Sequence, residues 1–177
     1  MAHTILALDL GSTMGWCIIR NGIIEASGSV ELSKPGAHPG HKFTLFGNWL
    51  LDFRKVDEIF YEDVPRFKGT AWPKIYCGLL AKLQEFTLSF GIRLTSCTPS
   101  HWKSVFTGKG TADKFEVCEA CHNIGWQGGQ FGTDQDHNEA DAIALAGAIL
   151  HERGVEIVFA DSPDRMPLVP VASPRFI

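Results

Sequence analysis

The sequence predicts an α/β domain with a mixed five-stranded sheet, in which three antiparallel N-terminal strands are followed by parallel strands and helices cover the flanks. The first observation is a pair of apolar runs, 4–10 and 14–20, joined by a short Gly-Ser-Thr turn, a pattern typical of strands. The second is Asn21-Gly22, a strong hairpin signal after which 23–31 returns as a third strand. The third is the alternation of helical and strand-like segments over the rest of the chain.

The later elements follow from periodicity and turn chemistry. Residues 42–55 carry apolar side chains at helical spacing, and 57–64 is a strand whose apolar run ends at Glu62. The same kinds of signal predict a helix over 75–90, a strand over 92–98, a short helix starting at 98–100, a helix from 111 or 113 to about 123, and an alanine-rich helix over 136–153. Residues 1–154 are thus expected to form one domain, and 155–177 a proline-rich extension that starts with a possible extra strand.

Composition excludes several classes of protein. The chain has 177 residues, of which 45% are hydrophobic, enough for one domain with a sizeable core. No stretch approaches the roughly 20 apolar residues of a membrane span, and the N-terminus lacks the basic flank and apolar core of a signal peptide. We therefore expect a cytoplasmic protein with no membrane partner, whose five scattered cysteines are free thiols.

One cysteine spacing matches a cofactor motif. Cys118, Cys121 and His122 spell CEACH, the attachment pattern of c-type haem. That attachment requires export, and the surrounding residues have the pattern of an amphipathic helix. A structural zinc would need a second ligand pair, which the sequence does not offer at a suitable spacing. We expect neither haem nor zinc here.

Acidic residues end two predicted strands and lie in the last predicted helix. Asp9 ends the first strand, Glu62 ends the strand over 57–64, and Asp141 lies in the otherwise alanine-rich first turns of the final helix. Burying an unpaired carboxylate costs several kcal/mol, so a buried Asp9 must be neutralised, hydrogen-bonded or metal-bound. Each acid alone also has an ordinary explanation, because Asp9 can cap the turn and the other two can be exposed charges.

Together the acids predict a metal site, because converging carboxylates repel each other unless cations neutralise them. His137 and Asn138 share the helix face of Asp141, whereas Glu139 points roughly 160° away. Oxygen ligands with one Asn or His favour Mg²⁺ or Mn²⁺ over Zn²⁺. Two such ions about 4 Å apart activate a water and stabilise the leaving oxygen of a phosphodiester. Either His137 or Asn138 is a candidate fourth ligand.

Basic residues concentrate in the middle of the chain, although the net charge is −4. Half of the 16 Lys and Arg residues lie between Arg66 and Lys114, with only two acids among them. The net charge argues against a protein that coats nucleic acid, but a local basic face is compatible with binding. Lys103, Lys109 and Lys114 flank a glycine-rich turn whose amides could approach a phosphate, the alternative being a solvated lysine face.

A second basic segment directly follows Glu62. Arg66, Phe67, Lys68 and Trp72 alternate cations with aromatic rings, a composition suited to contact with a nucleic-acid backbone and to stacking on exposed bases. The alternative is a solvated loop with a hydrophobic anchor.

Four motifs resemble, in order, those of the RuvC family of Holliday-junction resolvases, which have an RNase H-like fold. They are DLGST at 9–13, Glu62, TPSHWKSVFTGKGTADK at 98–114 and HNEADA at 137–142. The resemblance covers roughly residues 4 to 153. Its most specific part is the block 98–114, which is similar to the family's proline, valine-lysine and glycine-x-glycine-x-alanine-x-lysine pattern. The compact chain is similar to phage-encoded members.

The resemblance implies a Mg²⁺-dependent endonuclease that resolves four-way DNA junctions by paired nicks, with two ions per active site and with Mn²⁺ able to substitute. Asp9, Glu62 and Asp141 would be the metal-binding acids. Lys103 and Lys114 would be the basic residues that face the cleaved strand, with Lys114 part of the catalytic set. The enzyme would act as a homodimer on branched DNA.

Two positions depart from the family pattern. Asn138 stands where the family commonly has a carboxylate or sometimes His, so metal affinity would be weaker or His137 would share the role. Phe67 is the nearest match to the loop aromatic that wedges into the junction, at a slightly different spacing. The family dimerises through the helix that corresponds to 75–90. Here four of its side chains make the helix more apolar than one sheet contact requires, which core burial would explain equally well: Leu79, Leu80, Leu83 and Phe86.

The sequence is also compatible with other classes of function. DLGSTMGW also resembles the first phosphate loop of sugar kinases and actin-like ATPases, but those enzymes need a second, duplicated domain for which 177 residues leave no room. A related nuclease acting on other branched or single-stranded DNA fits the same acids. A non-catalytic junction-binding protein, in which Asn138 marks a decayed site, is a further possibility.

Overall fold

The computed structural model describes residues 3–34, 36–64, 71–128 and 134–160, and its centre is a six-stranded mixed sheet. In chain order the strands are β1 (Thr4–Asp9), β2 (Thr13–Arg20), β3 (Ile23–Glu31), β4 (Glu58–Glu62), β5 (Arg93–Cys97) and β6 (Val158–Phe159). They lie in the order β5-β4-β1-β2-β3-β6. The antiparallel N-terminal strands and the parallel strands β4 and β5 are confirmed. The sheet has one strand more than the predicted five, because β6 pairs with the edge of β3.

Five α-helices connect or cover the strands in the described residues. They are α1 (His41–Leu50), followed by a 3-10 turn at Leu51–Phe53, α2 (Ala71–Phe90), α3 (Pro99–Thr107), α4 (Lys114–Asn123) and α5 (Asp134–Glu152). The sequence predicts Thr111 or Asp113 as the residue that caps the start of α4, and in the structure the cap is Asp113. Its side chain accepts from the Glu116 backbone N–H at 3.0 Å, and the Glu116 carboxylate accepts from the Asp113 N–H at 2.8 Å. This reciprocal capping box fixes the beginning of α4.

The sheet separates two hydrophobic clusters. One lies under α1 and α2 and contains Leu6 and Leu8 of β1, whereas the other lies under α3, α4 and α5 and contains Ile5 and Ala7. Successive side chains of a strand point to opposite faces. Asp9, two residues after Ala7, therefore points to the side of the sheet that α5 covers.

The apolar residues of α2 face the hydrophobic core of the same chain. Leu79, Leu83 and Phe86 are buried, and Leu80 packs against the same cluster. Among the described side chains of α2, the large apolar ones that are exposed lie at its C-terminal end, where Leu88 is 86% and Phe90 44% exposed.

The state of the cysteines and the length of the helices can be compared with what the sequence predicts. All five cysteines are free, and Cys118 and Cys121 are buried on α4. None of the helices in the described part of the chain is long and apolar enough to cross a membrane.

Candidate active site

The carboxyl ends of two neighbouring parallel strands bring Asp9 and Glu62 together. Strands β1 and β4 are paired with Leu8 opposite Tyr61, so the next residue of each strand is one of the two acids. Each acid lies two residues after a member of the cluster under α5, Ala7 in β1 and Phe60 in β4. Strand alternation therefore points both carboxylates to the same face.

Helix α5 supplies the third acid, and a glycine in β2 allows it to approach. Gly15 pairs with Asp9 across the β1–β2 ladder. A Cβ atom on Gly15 would lie only 1.7 Å from the backbone oxygen of Asn138 in α5. The start of α5 thus rests directly on the strand beside Asp9, and Asp141 lies about one helical turn further along.

The three acids form one electrostatic unit. Burial raises the pKa of the Asp9 carboxyl well above its ordinary value, and the charges of Asp141 and Glu62 raise it further. Burial and the charge of Glu62 likewise raise the pKa of Asp141. The ammonium groups of Lys103 and Lys114 act in the opposite direction on both aspartates. Residues far apart in sequence, including both lysines of the 98–114 block, therefore lie within electrostatic range of each other.

Helix α3 contributes a direct contact to the acids. The indole Nε1–H of Trp102 donates a 2.8 Å hydrogen bond to Glu62 Oε1. The next residue, Lys103, donates from Nζ to the Ala112 carbonyl at 2.9 Å, and its Nζ lies 5.4 Å from the centroid of the Trp102 ring. Burial raises the pKa of Glu62, while the Trp102 hydrogen bond and the Lys103 charge lower it.

The residues before Asp141 have distinct neighbours. His137 Nδ1 lies 3.3 Å from Cys118 Sγ, so its ring is held against α4. Glu139 accepts hydrogen bonds from Ser27 Oγ at 2.6 Å and from Trp126 Nε1 at 3.1 Å, on the β3 side of the helix. Glu139 therefore holds the first turns of α5 in place and lies outside the cluster of acids.

The residues predicted to contact DNA fall into three groups. Lys103 and Lys114 lie beside the acids. Lys109 forms an ion pair with Glu116 of α4, and this contact raises the pKa of Lys109. Three further candidates lie outside the described residues, as does the side chain of Trp72: Arg66, Phe67 and Lys68.

The donor set fits a hard divalent cation. Asp9, Glu62 and Asp141 offer carboxylate oxygens, the ligands that Mg²⁺ and Mn²⁺ prefer, and a cation would relieve the repulsion that raises their pKa values. In residues 3–34, 36–64, 71–128 and 134–160, no three His, Cys, Asp or Glu side chains are arranged as a finished metal cage.

Sequence reasoning missed two residues that build this site. Gly15 is a glycine inside a strand, and such a glycine often marks a close approach of another backbone. Trp102 lies in the block 98–114, one residue before Lys103, and a buried tryptophan needs an acceptor for its N–H. Both signals were present in the sequence, but neither reveals which distant residue is the partner.

The sheet order and the helices on both faces define an α/β protein with an RNase H-like fold. The structure is similar to that of Thermus thermophilus RuvC in complex with a Holliday junction substrate, with a TM-score of 0.70 and 16% identity over 86% of this chain and 97% of that chain. A second T. thermophilus RuvC structure gives 0.67 at 16% identity, again over 86% of this chain and 97% of that chain. The yeast mitochondrial Holliday junction resolvase Ydc2 gives 0.59 at 18% identity, over 81% of this chain and 76% of that one.

These likenesses confirm the predicted RuvC-type fold. At the level of sequence, no protein-family model matches the chain, and no curated protein matches it either.

Proposed function

We propose that this protein is a divalent-metal-dependent endonuclease that resolves four-way DNA junctions by paired nicks. The observation that carries the proposal is the convergence of three acids on a fold like that of RuvC and Ydc2: the charges of Glu62 and Asp141 raise the pKa of buried Asp9, and the charge of Glu62 raises that of Asp141. Three carboxylates held together against their repulsion are typical of a cation site and serve no evident structural need. Mg²⁺ is the proposed ion, with Mn²⁺ as a substitute.

The residues divide the work by charge. Two bound ions would supply an activated water and stabilise the leaving oxygen of the phosphodiester. Asp9, Glu62 and Asp141 would hold the ions, with Asn138 or His137 as a further ligand. Lys114, which is exposed, would contact a phosphate of the cleaved strand, whereas Lys103 donates to the Ala112 carbonyl. Attack on phosphorus and cleavage of the bond to the 3′ oxygen leave 5′-phosphate and 3′-hydroxyl ends.

Paired nicks need two active sites, so the proposal includes a homodimer. The apolar residues of α2 that are buried in the core of the protomer cannot form the dimer interface. The exposed C-terminal end of α2, with Leu88 and Phe90, is the surface that supports association. The substrate would be branched DNA in the cytoplasm, and each protomer would cut one strand.

The test uses a labelled synthetic four-way junction, a linear duplex of matching sequence and ATP, each with and without Mg²⁺. We expect cleavage of the junction only, in the presence of the ion. Asp9→Asn and Glu62→Gln should abolish cleavage and leave junction binding nearly intact, because they remove ligand charge without touching the basic surface. Equal cleavage of the duplex and the junction would indicate a nuclease with a different substrate. ATP hydrolysis without DNA cleavage would overturn the proposal.

A further inference from the structure

The contact between Trp102 and Glu62 joins the hydrophobic core to the cluster of acids. Trp102 is 1% exposed and belongs to the cluster of apolar residues under α3, α4 and α5. Its Nε1–H reaches Glu62 Oε1 at 2.8 Å, a normal hydrogen-bond length. The indole is thus fixed by packing on one side and bonded to a proposed metal ligand on the other.

An indole N–H imposes a defined geometry on the carboxylate. It is a donor only, so it donates to a carboxyl oxygen and cannot accept a hydrogen bond from the O–H of a protonated carboxyl group. A large buried ring has few rotamers, and the ring of Trp102 is further flanked by Lys103, whose Nζ is anchored on the Ala112 carbonyl. The packing of α3 therefore fixes the position of Glu62 Oε1. Because both oxygens belong to one carboxylate, the same hydrogen bond also limits where Oε2 can lie.

A purely structural role would be to satisfy a buried N–H, for which any acceptor serves. Here the acceptor is the Glu62 carboxylate at the end of β4, whose charge raises the pKa of both Asp9 and Asp141. Mutation of groups that orient metal ligands through hydrogen bonds typically lowers metal affinity or activity by about 10–100-fold.

We propose that Trp102 is a positioning residue, whose indole N–H holds the Glu62 carboxylate in the orientation that binds a divalent cation. This inference rests on the proposed metal site and adds to it a residue of the core. It assigns the buried tryptophan a task beyond packing, namely the pre-orientation of one ligand before the ion arrives.

The test measures Mn²⁺ binding to the DNA-free protein by electron paramagnetic resonance of the unbound ion. Trp102→Phe removes the N–H and part of the ring. Site-specific replacement of Trp102 by benzothienylalanine keeps two fused rings and exchanges the N–H for sulfur, which covers the case in which the Phe variant does not fold. We expect affinity to fall by about tenfold in either folded variant.

Two controls make the result specific. Trp49→Phe alters a tryptophan of the opposite cluster, 7% exposed, and should leave Mn²⁺ affinity unchanged. Glu62→Gln should weaken binding at least as strongly as loss of the N–H. Unchanged affinity in the benzothienylalanine protein would overturn the role of Trp102 and leave the proposed function standing. A wild-type protein that binds no Mn²⁺ would overturn both.

Discussion

Gly15 of β2 lies against the carbonyl of Asn138 in α5, so closely that a Cβ atom on the glycine would be 1.7 Å from that oxygen. Gly15→Ala should therefore push the start of α5 away from the strand and carry Asp141 away from Asp9. We expect a loss of roughly 1–3 kcal/mol of unfolding free energy, as for other overpacked sites, together with a large loss of junction cleavage. Denaturant unfolding and a cleavage assay measure the two effects.

The matched control is Gly47→Ala. Gly47 lies inside α1, and a Cβ atom there would meet no atom within 4 Å. Alanine is a better helix former than glycine by roughly 0.5–1 kcal/mol, so this variant should be slightly more stable and should cleave normally. Equal destabilisation by both substitutions would show that the close approach at Gly15 is not what matters.

The two glycines show what the sequence can and cannot predict. Apolar runs, a hairpin turn and strand-end acids predicted the sheet, its antiparallel start and the candidate acids, because each depends on local chemistry. The partner of Gly15 and the partner of Trp102 are 123 and 40 positions away, respectively, and packing selects them. The sixth strand was expected only as a possible addition after residue 155 and was not counted in the sheet, because β6 is two residues long and has little pattern of its own.

Asn138 tests which residue completes the metal site. Asn138→Asp adds a negative charge on the helix face of Asp141, and a cation gains from each added carboxylate ligand. We expect cleavage to be kept or raised and to reach half its maximum at a lower Mg²⁺ concentration, which a titration of the ion measures. A higher Mg²⁺ requirement in this variant would mean that position 138 does not face the ions. His137→Ala, which removes the ring held against Cys118, gives the matching measurement for the other candidate ligand.

Lys114 and Lys109 separate a role in cleavage from a role in binding. Lys114 acts electrostatically on Asp9 and Asp141, whereas Lys109 is paired with Glu116 on the surface of α4. Lys114→Ala should therefore lower the single-turnover cleavage rate by more than it weakens junction affinity. Lys109→Ala should leave the single-turnover rate nearly unchanged, so that any loss is confined to junction affinity. Equal effects of Lys114→Ala on rate and affinity would make this lysine a phosphate anchor only.

Leu88 tests the proposed dimer. Its side chain is 86% exposed near the end of α2, so a charge there costs little in the monomer. Leu88→Lys should shift the protein from dimer to monomer in analytical ultracentrifugation, and paired nicks should become single nicks. The control is Leu51→Lys, at another exposed leucine that is 45% exposed and follows α1. A wild-type protein that sediments as a monomer at micromolar concentration would contradict the dimer.

Glu58 supports the far end of β4 through a buried ion pair, which predicts a pH dependence of stability. Its carboxylate is 0% exposed and accepts from Arg153 Nη1 at 2.8 Å and Nη2 at 2.9 Å. Burial alone would raise the pKa of Glu58, but the Arg153 and Thr95 hydrogen bonds lower it to about 2. The pKa is thus below the unfolded value of about 4.3, so the stabilisation is complete above that pH.

This contribution should fall as pH drops from about 4.3 towards 2, where Glu58 becomes protonated in the folded protein as well. Arg153→Met removes the bidentate partner but leaves the Thr95 hydroxyl, His3 and Arg93 beside the carboxylate. The cost near pH 7 should therefore stay below the roughly 3–5 kcal/mol of a fully unpaired buried charge. The deficit should shrink at acidic pH, because the carboxyl that has lost Arg153 then takes up a proton. Lys82→Met, which breaks an exposed pair with Glu85, should cost less than about 1 kcal/mol at either pH. Denaturant unfolding of the three proteins across this range measures the difference, and a pH-independent deficit in Arg153→Met would contradict the ion-pair account.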